Sequence, residues 1–146
     1  MTLAEQVAAL RRTLHRHFTR HLAHRTSRSF LELRALRAIS REEVRTQVAL
    51  ADRLLVDTAA VSRLVAKLEQ DGLLVRQPGE DRRCVRLEVT AGGEDQVQLL
   101  EEELTALQTR TREHLTADEL QTLSRLLEKL HAGLREHEPQ TPRDGG

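Results

Sequence analysis

Between Thr58 and Val89 the sequence changes its period, and this restricts the fold more than any other feature. Val61, Leu64, Val65 and Leu68 fall at i, i+3, i+4 and i+7, which sets one apolar stripe along a helix over residues 58–70. Asp57 has the chemistry of its N-cap, and Gly72 that of a left-handed helix stop. After Gly72 the apolar residues alternate with polar ones over 73–77 and again over 84–89, and Pro78-Gly79-Glu80-Asp81 between them has turn composition. A helix followed at once by a hairpin leaves few arrangements for the rest of the chain.

The flanking segments are helical. Residues 3–24 carry Leu3, Val7, Leu10, Leu14, Phe18 and Leu22 every three or four positions, without a breaker and with a basic polar face. Residues 29–39 place Phe30, Leu33, Leu36 and Ile39 inward, and 45–54 form a third helix carrying Val48, Ala49 and Ala51. Thr90 opens a long helix with Val97, Leu100, Leu104 and Leu107 on one seam. Thr116-Ala117-Asp118-Glu119 is a capping box for a last helix striped by Leu120, Leu123, Leu127, Leu130 and Leu134. Phe18 and Phe30 are the only aromatic residues, so the core is built from Leu, Val and Ala. Two short helices joined by a tight turn and followed by a hairpin form a winged helix-turn-helix. The fold class is mainly α (α+β), with long N- and C-terminal helices whose apolar stripes exceed what a small winged domain covers and are expected to be buried between two chains.

Charge is distributed unevenly. The formal net charge is zero, but residues 1–44 hold 9 Arg against 4 acids, whereas residues 87–146 hold 6 basic residues against 13 acidic ones. The acidic last third is expected to pair with the basic first helix. The single cysteine, Cys84, excludes an intrachain disulfide and a multi-cysteine zinc site. Strand parity turns it outward with Arg86 and Glu88, where it is either a small strand residue or a thiol poised by Arg82, Arg83 and Arg86. With no signal-like or membrane-length apolar run, the chain reads as cytoplasmic. It lacks a Gly-rich phosphate loop, H-E-x-x-H and a nucleophile elbow, so neither enzymatic activity nor a cofactor is expected.

Residues 45–76, RTQVALADRLLVDTAAVSRLVAKLEQDGLLVR, resemble the multiple-antibiotic-resistance regulator (MarR) family. The likeness rests on Thr46-Gln47, Leu50-Ala51, Arg53-Leu54, Val61-Ser62-Arg63-Leu64-Val65, Leu68-Glu69, Gly72-Leu73 and Arg76, with Asp81-Arg82-Arg83 and LEVTAGG after them. Leu55 stands where the family often has Gly, and Ala60 where a hydroxyl is common. The resemblance implies a homodimeric bacterial transcriptional regulator, a ligand-released repressor on a pseudo-palindromic duplex operator, with the fourth helix in the major groove and the wing in the minor groove. Residues 1–28 would then be an N-terminal dimerisation helix, 29–90 the winged DNA-binding domain, 91–137 C-terminal dimerisation helices and 138–146 a disordered tail.

The residues agree with this implication. Thr58, Ala59, Ser62, Arg63 and Lys67 occupy the open side of the fourth helix, where hydroxyls, a bidentate guanidinium and an ammonium suit bases and phosphates, and Thr46 sits at the start of the third. In an extended segment Asp81 and Arg83 point the same way, so Asp81 braces Arg83 as the minor-groove probe, as the family's D-x-R pair does, while Arg82 faces the other way towards phosphate or solvent. Val85, Leu87 and Val89 anchor this ribbon. His17, His21 and His24 share one face of the first helix, near His15, and suit an anionic effector, a proton switch or a metal ion; no carboxylate stands at ligand spacing within that helix, so no metal is assigned. Two alternatives stay open: a winged-helix protein-interaction module without DNA binding, and a metal-sensing regulator acting through that His stripe.

Overall fold

The computed structural model describes residues 1–79 and 85–137. Among these described residues six helices and one hairpin follow in order: α1 (Leu3–Leu22), α2 (Phe30–Arg41), α3 (Gln47–Leu54), α4 (Thr58–Gln70), β1 (Leu74–Pro78), β2 (Val85–Val89), α5 (Ala91–His114) and α6 (Ala117–Arg135). The architecture is mainly helical with one two-stranded antiparallel sheet. Among the described residues no helix is long and apolar enough to cross a membrane.

Local chemistry sets the helix starts. Thr2, Ser29, Thr46, Asp57 and Thr116 each accept a backbone N–H in the first turn, and Thr2–Glu5 and Thr116–Glu119 close full capping boxes. Two of the boundaries that differ from the sequence expectation bear on the site. Helix α1 ends at Leu22, which leaves His24 in the turn beyond it. Helix α3 begins at Gln47 instead of Arg45, because the Arg45 carbonyl accepts the Leu87 N–H at 2.8 Å and holds that residue alongside β2.

Met1–Thr105 form one compact unit. Its core consists of Leu36 and Ile39 of α2, Leu50 and Leu54 of α3, Val61, Val65 and Leu68 of α4, Leu74 and Leu87 of the hairpin and Val97 of α5. In α3 the buried residues are Leu50, Ala51 and Leu54, whereas Val48 and Ala49 face solvent. Helix α1 meets α2 through Phe18 and Phe30, which stack with centroids 5.3 Å apart and planes 10° from parallel.

Opposite charges meet within this unit, but among the described residues the arginines engaged are not those of α1, where the sequence suggested them. Carboxylates of α5 pair with guanidiniums that follow α1 or lie on α2: Glu102 and Glu103 with Arg25, Glu101 with Arg37, and Glu94 with Arg41. The Arg25–Glu102 hydrogen bond raises the guanidinium's pKa and lowers the carboxyl's.

The second unit, from Ala106 onward, holds the end of α5 and all of α6. No residue of α6 is buried; Leu123, Leu126, Leu127 and Leu134 are exposed, and Leu120 and Leu130 half-buried. On α1 the same holds for Leu3, Val7 and Leu10, with Leu14 half-buried. Residues 138–146, expected as a disordered tail, lie outside the described residues.

Candidate functional site

The geometry of α3 and α4 is fixed by two stops of the same kind. At the end of α4, Gly72 (φ 74°) takes the left-handed conformation, the Gly72 N–H donates to the Glu69 carbonyl at 3.0 Å and the Leu73 N–H to that of Leu68 at 2.9 Å. At the end of α3, Leu55 (φ 56°, ψ 44°) repeats the pattern, with its N–H on Asp52 at 3.4 Å and the Val56 N–H on Ala51 at 3.2 Å. These paired bonds define a Schellman stop. The turn therefore keeps the shape that glycine ordinarily supplies although the residue is leucine. Asp57 follows at once and caps α4 through the Ala60 N–H at 2.7 Å.

Anchored on Val61, Val65 and Leu68, α4 turns Thr58, Ala59, Ser62, Arg63 and Lys67 to solvent on one face. These members of the predicted set are brought together. Among the described residues Arg63 makes no ion pair or hydrogen bond. Lys67 differs. Its Nζ lies 3.2 Å from Oε1 of Glu32, a buried carboxylate that also takes Arg28 at 3.2 Å, while Arg28 is bound in turn by Asp71. Burial works against the charge of Glu32, but hydrogen bonds from Lys67 and Arg28 outweigh it and hold the carboxyl below its ordinary value. The hydrogen bond to Asp71, followed by the one to Glu32, raises the Arg28 guanidinium's pKa against desolvation. Thr46 is exposed at the start of α3, where its hydroxyl oxygen accepts the Ala49 N–H at 3.1 Å.

The hairpin pairs Leu74 with Val89 through Pro78 with Val85. Leu87 is buried, Val89 half-buried, and Val85 exposed at 48%. Only the base of the ribbon is anchored, because its outer half extends past the core and parity there places Val85 over no apolar surface. Asp81, Arg82, Arg83 and Cys84 lie outside the described residues. At the base, Thr90 joins three elements: its hydroxyl donates to the Gly72 carbonyl at 2.6 Å, its N–H to the Leu73 carbonyl at 3.1 Å, and its hydroxyl oxygen caps α5 through the Gly93 N–H at 3.2 Å.

A second feature of this unit is a cavity of about 210 Å³ lined by Phe30, Arg34, Arg37, Arg53, Leu54, Leu100 and Leu104, with Ala38 and Glu42. Arg37 is held by Glu101 at 2.7 Å and Arg53 by Glu42, whereas Arg34 lies over the Phe30 ring, 5.9 Å from its centroid. The histidines divide. His17 and His21 meet with centroids 4.1 Å apart, His15 packs edge-on against Phe30, and His24 joins neither contact. The Glu32 network and Glu103 were missed from the sequence. The visible signal for Glu103 was the run Glu101-Glu102-Glu103 on a helix otherwise lined by an apolar seam.

The sequence pattern of the MarR family matches residues 27–83. Among solved structures, the transcriptional regulator BldR from Sulfolobus solfataricus is 30% identical, with 92% of this chain and 93% of that one covered at a TM-score of 0.73. Wild-type apo MarR from E. coli is 27% identical over 89% of this chain and 97% of its own, with a TM-score of 0.74. The chain belongs to the MarR family. A third match is a MarR mutant from E. coli complexed with operator DNA, 27% identical over 88% of this chain and 92% of its own, with a TM-score of 0.72. No curated protein matches. In this MarR-family chain the helix-turn-helix is α3–Leu55–α4 and the wing is β1–β2, and the fold is that of a transcriptional regulator.

Proposed function

We propose that this MarR-family regulator binds duplex DNA as a homodimer in the cytoplasm, with α4 in the major groove and the wing against the minor groove, and that it represses transcription until a small effector releases it. The observation that carries the reading is Arg63: an exposed guanidinium with no acidic partner among the described residues, on a helix face it shares with Thr58 and Ser62. An uncommitted Arg in that position can bond both acceptors of a guanine edge. Lys67 has a lesser role, since it must leave Glu32 to reach a phosphate. At the wing Arg83 is the proposed probe, with Asp81 as brace and Arg82 on the backbone. Support also comes from the MarR mutant of E. coli that is complexed with operator DNA.

The cavity lined by Arg34, Phe30, Leu54, Leu100 and Leu104 fits a small amphipathic anion, which makes it the proposed effector site. An occupant that favours one separation of the two recognition helices shifts the dimer off an operator whose half-sites need another. This reading gives the chain no catalytic role.

Duplexes selected from a random pool, followed by titration at several salt concentrations, test the proposal. The selected sequences are expected to contain two half-sites one helical turn apart, and affinity to fall steeply with salt. Arg63→Ala is expected to cost about 1–3 kcal/mol and relax preference at one base pair per half-site. Salt-independent binding, or affinity untouched by both Arg63→Ala and Arg83→Ala, would instead favour the protein-interaction module.

A further inference from the structure

A metal set needs ligand atoms converging from rigid elements, and α1 alone offers two imidazoles one turn apart. The carboxylate that the helix spacing does not supply comes from α5. One nitrogen each of His17 and His21 and one carboxylate oxygen of Glu103 all lie within 4.8 Å of one another. From these contacts we infer that His17, His21 and Glu103 form a binding site for a late first-row divalent metal ion of the Zn²⁺ class. The site lies apart from the exposed α4 face and does not depend on DNA binding.

The chemistry of the donors fits. Two imidazoles and one carboxylate are a common protein set for Zn²⁺, with a fourth position left for water. At metal–ligand distances of about 2.0–2.2 Å, tetrahedral ligands stand roughly 3.3–3.6 Å apart. The three atoms therefore need to close by no more than about 1.5 Å, within reach of rotamer changes of the exposed His21 and half-buried Glu103.

The surroundings also orient the ligands. His21 Nδ1 lies 2.9 Å from the His17 carbonyl oxygen, so a proton on Nδ1 donates there and leaves Nε2 to the metal. Arg25 contacts Glu103 at 3.4 Å but makes its closer bond to Glu102, so Glu103 can turn to a cation while the ion pair that ties Arg25 to α5 persists. His24 lies beyond the end of α1 and outside the set. Arg16 and Arg20 line the groove beside the two histidines and lower the affinity for any dication, which makes Zn²⁺, held through coordinate bonds, a better occupant than Mg²⁺ or Ca²⁺.

Tag-free full-length protein tests the site. Saturating Zn²⁺ is expected to raise the Tm by about 5 °C by joining α1 to α5, with no rise from Mg²⁺. Co²⁺ is expected to give the visible absorption bands of a four-coordinate site at one ion per chain. His21→Gln and Glu103→Gln should each abolish both signals and leave the metal-free Tm within about 2 °C of the parent, since His21 is exposed and Arg25 keeps its closer bond to Glu102 when Glu103 is neutralised. His24→Gln and His137→Gln should change neither. No Zn²⁺-dependent shift in the parent, or Co²⁺ bands that persist in both Glu103→Gln and His21→Gln, would overturn the assignment, as would bands that vanish in His24→Gln.

Discussion

Lys67 of α4 holds the buried carboxylate of Glu32 on α2 at 3.2 Å, so a cation proposed to reach a phosphate also takes part in the joint between the two helices. Arg28 bonds the same carboxylate and is held by Asp71 beyond the end of α4. Because these hydrogen bonds keep the Glu32 carboxyl below its ordinary value, its contribution is fully present above the unfolded-state value of about 4.3 and is lost as pH falls through the folded-state value. Glu32→Gln is therefore expected to lower stability by about 1–2 kcal/mol at pH 7, with the difference from the parent shrinking below about pH 4. Urea denaturation at pH 7, 5 and 3.5 measures it. A penalty unchanged at pH 3.5 would show that the amide disturbs packing and not charge.

The left-handed leucine gives a second prediction. Leu55 is 90% exposed, so its side chain loses little on removal, while its backbone has φ 56°. That conformation costs a non-glycine residue about 1–2 kcal/mol, and glycine returns about 0.4–1 kcal/mol of this by widening the unfolded ensemble. Leu55→Gly is expected to stabilise the fold by about 0.5–1 kcal/mol, read as a higher urea midpoint at constant m. A lower midpoint would mean that the left-handed backbone costs the leucine less than the entropy that glycine adds to the unfolded chain.

Local physics made most of the fold legible. The stripes of α1, α2 and α4, the Asp57 and Thr116 caps and the Gly72 stop each depend on residues within four or five positions of one another. Long-range encounters were less legible. Nothing near Glu32 in sequence announces Lys67, 35 residues away, and the histidines of α1 give no sign that Glu103 will meet them. Val85 shows a third limit: strand parity says which side a residue takes, but not whether a core lies beneath that side. The open face of α4 could be read because burial of Val61, Val65 and Leu68 dictates it.

The leucines of α6 give a prediction about assembly. Leu123, Leu126, Leu127 and Leu134 stay exposed on a well-capped helix, an arrangement that is rare on a monomer unless the patch has a partner. A homodimer is expected in analytical ultracentrifugation at micromolar concentration. Leu127→Glu combined with Leu123→Glu should yield a folded monomer, because neither side chain is buried within its own chain. A monomeric parent, or a double variant that remains dimeric, would move the interface elsewhere.

Two adjacent glycines test how Thr90 and α5 lock the hairpin onto the core. A Cβ on Gly93 would stand 2.1 Å from the Leu73 carbonyl oxygen and 2.5 Å from Val89 Cγ1. That carbonyl also accepts the Thr90 N–H at 3.1 Å, so neither the oxygen nor α5 can retreat without breaking the joint. A Cβ on Gly92 meets nothing nearer than Leu73 Cδ2 at 3.7 Å, an ordinary contact. Gly93→Ala is accordingly expected to cost about 3 kcal/mol or more, whereas Gly92→Ala gains up to about 1 kcal/mol from helix propensity. Thermal denaturation of the two variants should shift in opposite directions. Equal shifts would mean that the start of α5 yields to a methyl group and that Gly93 is not what fixes the hairpin against it.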